Sequence, residues 1–169
     1  GTYPNLIREC GFDEYCVWAY ENYLSPEDRP QFKGRNRYWN PLMMRDGKMI
    51  ETTIRDYGPD IEAAFLADFI SRHRDRPFLA YYPATLTHGP HEPPPGTAKS
   101  DADKLAADRA HFGACLEYLD RIVERLVKAL DTLVIDEVSM VRADMMQAID
   151  NSLRLNRGNR QPFGGVRMI

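Results

Sequence analysis

The run from Lys104 to Leu130 most constrains what this chain can fold into. Phe112, Leu116, Leu119, Val123, Leu126 and Leu130 recur at steps of four and three, and Cys115, Ile122 and Val127 widen the stripe. Asp120, Glu124, Arg125 and Lys128 fall on the other side. This spacing predicts a long amphipathic helix, with Ser100 to Asp103 able to cap its start. Such an apolar face needs a partner. A coiled coil would supply one, but the strand-like runs on either side favour a sheet beneath the helix.

A second helix is expected to begin near Asp60, whose side chain can cap free amides while Pro59 blocks extension backward. Ile61, Phe65 and Phe69, with Leu66 and Ile70, give it an apolar face that ends at Arg72, His73 and Arg74. Phe78 to Tyr82 then has the length and aromatic content of a buried strand, and it empties into a segment too rich in proline to continue a sheet. The order helix, strand, loop, helix predicts an α/β fold, with a mixed or parallel sheet flanked by helices.

Toward the start, Pro4 to Cys10 can form a short helix stopped by Gly11, and Glu14 to Tyr20 reads as a strand. Residues 21–41 read as a surface excursion. Asp46-Gly47 between Leu42–Met44 and Lys48–Thr52 is a strong hairpin signal. Toward the end, Thr132 to Ile135 reads as a strand running into Asp136-Glu137. Met140 to Leu153 reads as a helix through Val141, Met145, Ala148, Ile149 and Leu153, and Asn156 to Gly165 as a turn-rich linker.

With 43% hydrophobic and 28% charged residues, the 169-residue chain has the balance of a soluble globular protein with one ordinary core. A formal net charge of -3 favours neither a nucleic-acid grip nor a membrane surface. No run approaches a membrane span, and no leader-like segment opens the sequence. It begins at Gly1 and stops in a strand-like Met168-Ile169, so both ends are expected to be cuts through a longer protein, and no compartment is assigned. Cys10, Cys16 and Cys115 lack zinc-site spacing and make no disulfide framework; they are read as partly buried thiols.

His88 and His91 ride the loop after Phe78–Tyr82, where open α/β folds meet their ligands. An isolated pair of loop histidines otherwise faces only water. Gly11-Phe-Asp-Glu-Tyr, Tyr57-Gly-Pro-Asp, Arg76-Pro-Phe-Leu-Ala-Tyr-Tyr-Pro, Thr87-His-Gly-Pro-His-Glu-Pro and Tyr118-Leu-Asp together resemble the formylglycine-dependent sulfatases of the alkaline-phosphatase-like superfamily. The resemblance covers about residues 1–130, as an internal slice of that fold. It implies a sulfate-ester small molecule or glycan as substrate, a calcium ion, and covalent catalysis by an oxidised cysteine. His88 matches the histidine that contacts the sulfate and transfers a proton, and His91 is the neighbouring candidate for substrate contact. None of the three cysteines carries the modification motif, and the calcium ligands find no match. The slice is therefore expected to be inactive and not to bind calcium.

From Asp131 the sequence changes character. Asp131-Thr-Leu-Val-Ile-Asp-Glu-Val-Ser-Met, Leu153-Arg-Leu-Asn-Arg-Gly-Asn and Gln161-Pro-Phe-Gly-Gly-Val resemble the Walker B region of RecD-like and Pif-type superfamily 1 DNA helicases. That resemblance implies a strand and helix from a P-loop ATPase, with Asp136 on magnesium, Glu137 orienting the attacking water, and DNA as partner. An acidic pair after an apolar strand is otherwise a solvated strand end. No Gly-x-x-x-x-Gly-Lys-Ser/Thr loop occurs in the chain, so ATP and magnesium are not expected to bind well here.

The expectation is thus a composite: a partial sulfatase-like domain over 1–130 and a partial helicase ATPase segment over 131–169. Its leading function is that of a sulfatase-like fragment, a sulfuric ester hydrolase by descent. A fragment of an ATP-dependent DNA helicase and a non-catalytic partner-binding domain are the alternatives.

Overall fold

The computed structural model describes residues 6–19, 24–33, 35–97, 104–130, 132–133 and 142–168. It is a mixed α/β chain whose described strands form two separate small sheets. Its residues fall into two compact units, one of Gly1–Phe65 with Tyr82–Leu119 and the other of Leu66–Tyr81 with Asp120–Ile169. This is a division by packing, distinct from the division at 130/131 drawn from family patterns.

In the first unit a short helix α1 (Leu6–Glu9) ends at Gly11, whose φ of 94° only glycine adopts cheaply. Strands β1 (Cys16–Trp18), β2 (Met43–Arg45) and β3 (Lys48–Ile50) follow and make an antiparallel sheet in that order. The expected hairpin is there: Asp46 and Gly47 have φ of 50° and 84°, both positive as a type I′ turn requires. Asp46 also ties the turn to β1, accepting the Tyr15 backbone N–H at 2.9 Å. Tyr15, Ala19, Leu24, Leu42 and Met44 form the core on this sheet, with Ile7, Val17, Phe32 and Met49 packed at its margin.

Helix α2 (Gly58–His73) starts two residues before Asp60. Asp60 does not serve as its expected cap; both carboxylate oxygens accept the Tyr118 hydroxyl, at 2.8 and 2.9 Å. Gly58 takes the entry position because a Cβ there would stand 2.2 Å from the Arg37 carbonyl oxygen. Its amide donates to the Tyr38 carbonyl at 2.7 Å.

Helix α3 (Lys104–Ala129) runs almost as its periodicity predicts. The proposed cap residues 100–103 lie outside the described residues. The buried line, however, is His111, Cys115, Ile122 and Leu126, while Phe112, Leu116 and Val123 are exposed. From His111 to Ile122 the buried line sits about one residue (~100°) from the expected face: Cys115 and Ile122, which widened the stripe, are buried, whereas of the main stripe Leu126 is buried and Val127 beside it is only half-buried.

The second unit holds the largest departure from expectation. Phe78–Tyr82 pairs with no strand among the described residues, and Leu79 and Tyr81 are 79% and 73% exposed. A strand-like composition fits a pleated, half-buried surface, but here the run is an exposed segment outside the described strands. Phe78 still meets Phe69 edge to face, with centroids 5.4 Å apart.

Strand β4 (Thr132–Leu133), helix α4 (Ala143–Arg157) and strand β5 (Arg167–Met168) complete this unit. The two strands pair in parallel, Thr132 with Arg167 and Leu133 with Met168. Parallel neighbours need a crossover, and α4 lies between them in sequence. It starts later than expected and runs to Arg157, where Gly158 in the left-handed region closes it. Arg157 donates to the carbonyls of Val127 at 3.0 Å, Lys128 at 3.3 Å and Leu130, and its Nε to Gly164 at 3.0 Å. One guanidinium thereby caps the open end of α3 and fixes the turn into β5.

Candidate functional site

The loop carrying His88 and His91 is held by aromatic side chains distant in sequence. Tyr38 donates its hydroxyl to the His88 carbonyl, and Trp39 its indole N–H to the Pro93 carbonyl at 3.0 Å. Asn36 donates to the Glu92 carboxylate at 2.7 Å, and the Cys115 thiol to the Glu92 carbonyl at 3.3 Å. Tyr57 sits among Tyr38, Trp39 and Tyr118, at centroid distances of 6.0, 4.9 and 5.5 Å. Burial pushes the Tyr38 phenol up to about 12 and the Tyr57 phenol higher still. Both therefore stay neutral, acting as anchors rather than bases. Within this grip the Leu86–Thr87 and Gly89–Pro90 peptides are cis.

His88 is exposed, and its Nδ1 lies 2.7 Å from the neighbouring Gly89 carbonyl oxygen. His91 is half-buried and committed on both sides. Its Nε2 faces the Thr87 carbonyl oxygen at 2.9 Å and its Nδ1 faces Asp108 at 3.1 Å. The ring thus meets an oxygen on each side, one from the backbone and one from a carboxylate. Asp108 also accepts the His91 backbone N–H, and that bond, followed by the ring bond and the charges of His91 and His111, holds its carboxyl below the usual range. Phe112 meets the His91 ring edge on at 5.2 Å. The two histidines thus play unlike parts: His88 presents its ring to solvent, and His91 locks the loop to α3.

Glu62 lies on α2 and is only 8% exposed. It accepts the Thr85 hydroxyl at 3.1 Å, while loss of hydration pushes its carboxyl up to about 7. Burial, followed by the nearby Glu62 charge, raises the Cys16 thiol to about 11, so it is no nucleophile near neutral pH. Sequence reading missed Glu62 and Asp108. Glu62 does interrupt the apolar face of α2, which was the available signal; Asp108 carries none, because its partner is 17 residues away.

Asp136 and Glu137 lie outside the described residues, as do Ile135 and Val141. What frames them is described: β4, which ends at Leu133, then α4, and β5 in parallel register with β4. Midway along α4, Asp150 is held below the usual carboxylate range by Arg154, 2.8 Å away, and then by the Phe163 amide. No group of three or more His, Cys, Asp or Glu among the described residues could hold a metal ion, and no described helix is long and apolar enough to cross a membrane.

No family model matches the chain, and no solved structure matches it. Two curated proteins are similar to parts of it. The ATP-dependent DNA helicase PIF1 of Saccharomyces cerevisiae (strain YJM789) is 35% identical over 78 residues, covering 44% of this chain and 8% of the helicase. Uncharacterized protein 030L of Invertebrate iridescent virus 6 is 44% identical over 48 residues, covering 28% of this chain and 9% of that protein. The chain therefore spans less than a tenth of the length of either relative. Each matched stretch is longer than 131–169, so neither is confined to those residues.

Proposed function

We propose that the stretch from Asp131 onward is the Walker B element of an ATP-dependent DNA helicase motor. Asp136 would hold the magnesium ion of a bound nucleotide, and Glu137 would orient the attacking water. The ion would offset phosphate charge. The observation that supports this reading is the parallel β4–β5 pair with α4 between its strands, in a chain partly similar to the PIF1 helicase. In parallel α/β units ligands sit beyond the carboxyl ends of the strands, and in chain order the two acids follow β4 at that end.

Without a phosphate loop in its sequence, the chain is expected to bind nucleotide weakly and not to turn it over. Titration calorimetry with ATP tests this. The expected result is heat that requires magnesium, falls away in Asp136→Asn, and comes with no phosphate release. No heat at any magnesium concentration would remove the helicase reading.

The sulfate-ester reading of residues 1–130 rests on sequence resemblance alone, whereas the helicase reading has a curated relative beside it. Its discriminating test is turnover of a chromogenic aryl sulfate with calcium, for which none is expected. Turnover abolished by His88→Ala would restore that reading.

A further inference from the structure

Arg8 in α1 and Arg45 at the end of β2 stand 3.8 Å from opposite oxygens of Asp46. That is ion-pair distance but too long for a hydrogen bond, so the carboxylate does not consume the N–H fork of either guanidinium. One Asp46 oxygen is in any case engaged by the Tyr15 amide. Lys48 lies directly opposite Arg45 across the hairpin. Like charges in that register repel, and an anion between them would relieve the repulsion.

Three cations around one carboxylate leave a local excess of positive charge in a chain whose formal net charge is -3. Together with Met49 and Ile50 these residues line an open concavity of about 500 Å³. Ligand pockets commonly measure ~300–1,000 Å³. Arg45 is also pre-oriented, its guanidinium resting 4.9 Å from the centre of the Phe65 ring.

We propose that this concavity binds a phosphate monoester bearing an apolar group. The dianion matches the excess charge, the two guanidinium forks grip its oxygens, Lys48 adds a third donor, and the apolar group lies over Met49 and Ile50. A sulfate ester carries one negative charge and is held less well. This site is independent of the helicase reading.

Calorimetry of the whole chain with phenyl phosphate tests it, with inorganic phosphate and phenyl sulfate as comparators. Phenyl phosphate is expected to bind more tightly than either comparator. Arg8→Gln and Lys48→Gln, both at exposed positions, are each expected to weaken it about tenfold while leaving the circular dichroism unchanged. In the native chain, added salt is expected to weaken binding. Absent binding, salt-insensitive binding, or native affinity in both variants would overturn the proposal. Equal affinity for inorganic phosphate would overturn its apolar half, and equal affinity for phenyl sulfate its assignment to a dianion.

Discussion

Thr85 donates its hydroxyl to Glu62 across 3.1 Å, joining the histidine loop to the first turns of α2 through a carboxyl that is 8% exposed. The bond favours the charged form, but dehydration outweighs it, and the folded-state value rises from 4.5 to about 7.

Glu62 therefore makes stability depend on pH with a definite sign. Because the folded value lies above the unfolded one, its contribution is full below pH about 4.5 and is lost as pH rises through about 7. The loss is on the order of 3 kcal/mol. Glu62→Gln should flatten this slope relative to the native chain in urea unfolding at several pH values. Parallel slopes would show that Glu62 is not its source.

Asp108 has the opposite sign. The His91 backbone N–H, helped by the ring, holds its carboxyl low, so its contribution is present above pH about 3.8 and lost as pH falls through the folded value. Asp108→Ala should speed hydrogen exchange at the His91 amide while leaving the hairpin amides unchanged. Unaltered exchange at His91 would mean that the loop is held from elsewhere.

Two glycines should respond in opposite directions. Gly58→Ala forces a Cβ to 2.2 Å from a backbone carbonyl and should cost ~1–3 kcal/mol. Gly113 sits within α3 with nothing inside 4 Å, so Gly113→Ala should stabilise by ~0.5–1 kcal/mol. Denaturation midpoints measure both, and a shift of the same sign would contradict the packing described.

Arg157→Lys should fail to replace arginine. A single ammonium cannot reach the carbonyls of Val127, Lys128 and Leu130 while also holding Gly164. The expected loss is ~1.5–3 kcal/mol, with faster amide exchange around residues 127–133. Full stability in the lysine variant would show that the clamp contributes nothing.

Local signals were the legible ones. Asp46-Gly47 announced its turn because positive φ at two successive positions selects those residues, and α3 announced its limits through periodicity. The face that α3 buries was not legible: Phe112 and Cys115 both fit a helical stripe, and only packing decides between them. Phe78–Tyr82 misled because strand composition does not by itself supply a neighbouring strand, and none pairs with it among the described residues. At the candidate site, the two histidines were visible as loop residues. Their different roles depend on Tyr38 and Asp108, partners 50 and 17 positions away that no window of sequence connects.

The uncovered Phe78–Tyr81 run also bears on handling. With Leu79 and Tyr81 turned outward in a run that no strand pairs among the described residues, one molecule offers another an apolar segment to join. Protein concentration then becomes a variable in its own right: dilute samples should stay clear, while concentrated ones should cloud on warming. A single lysine at position 79 would be the simplest way to keep them clear.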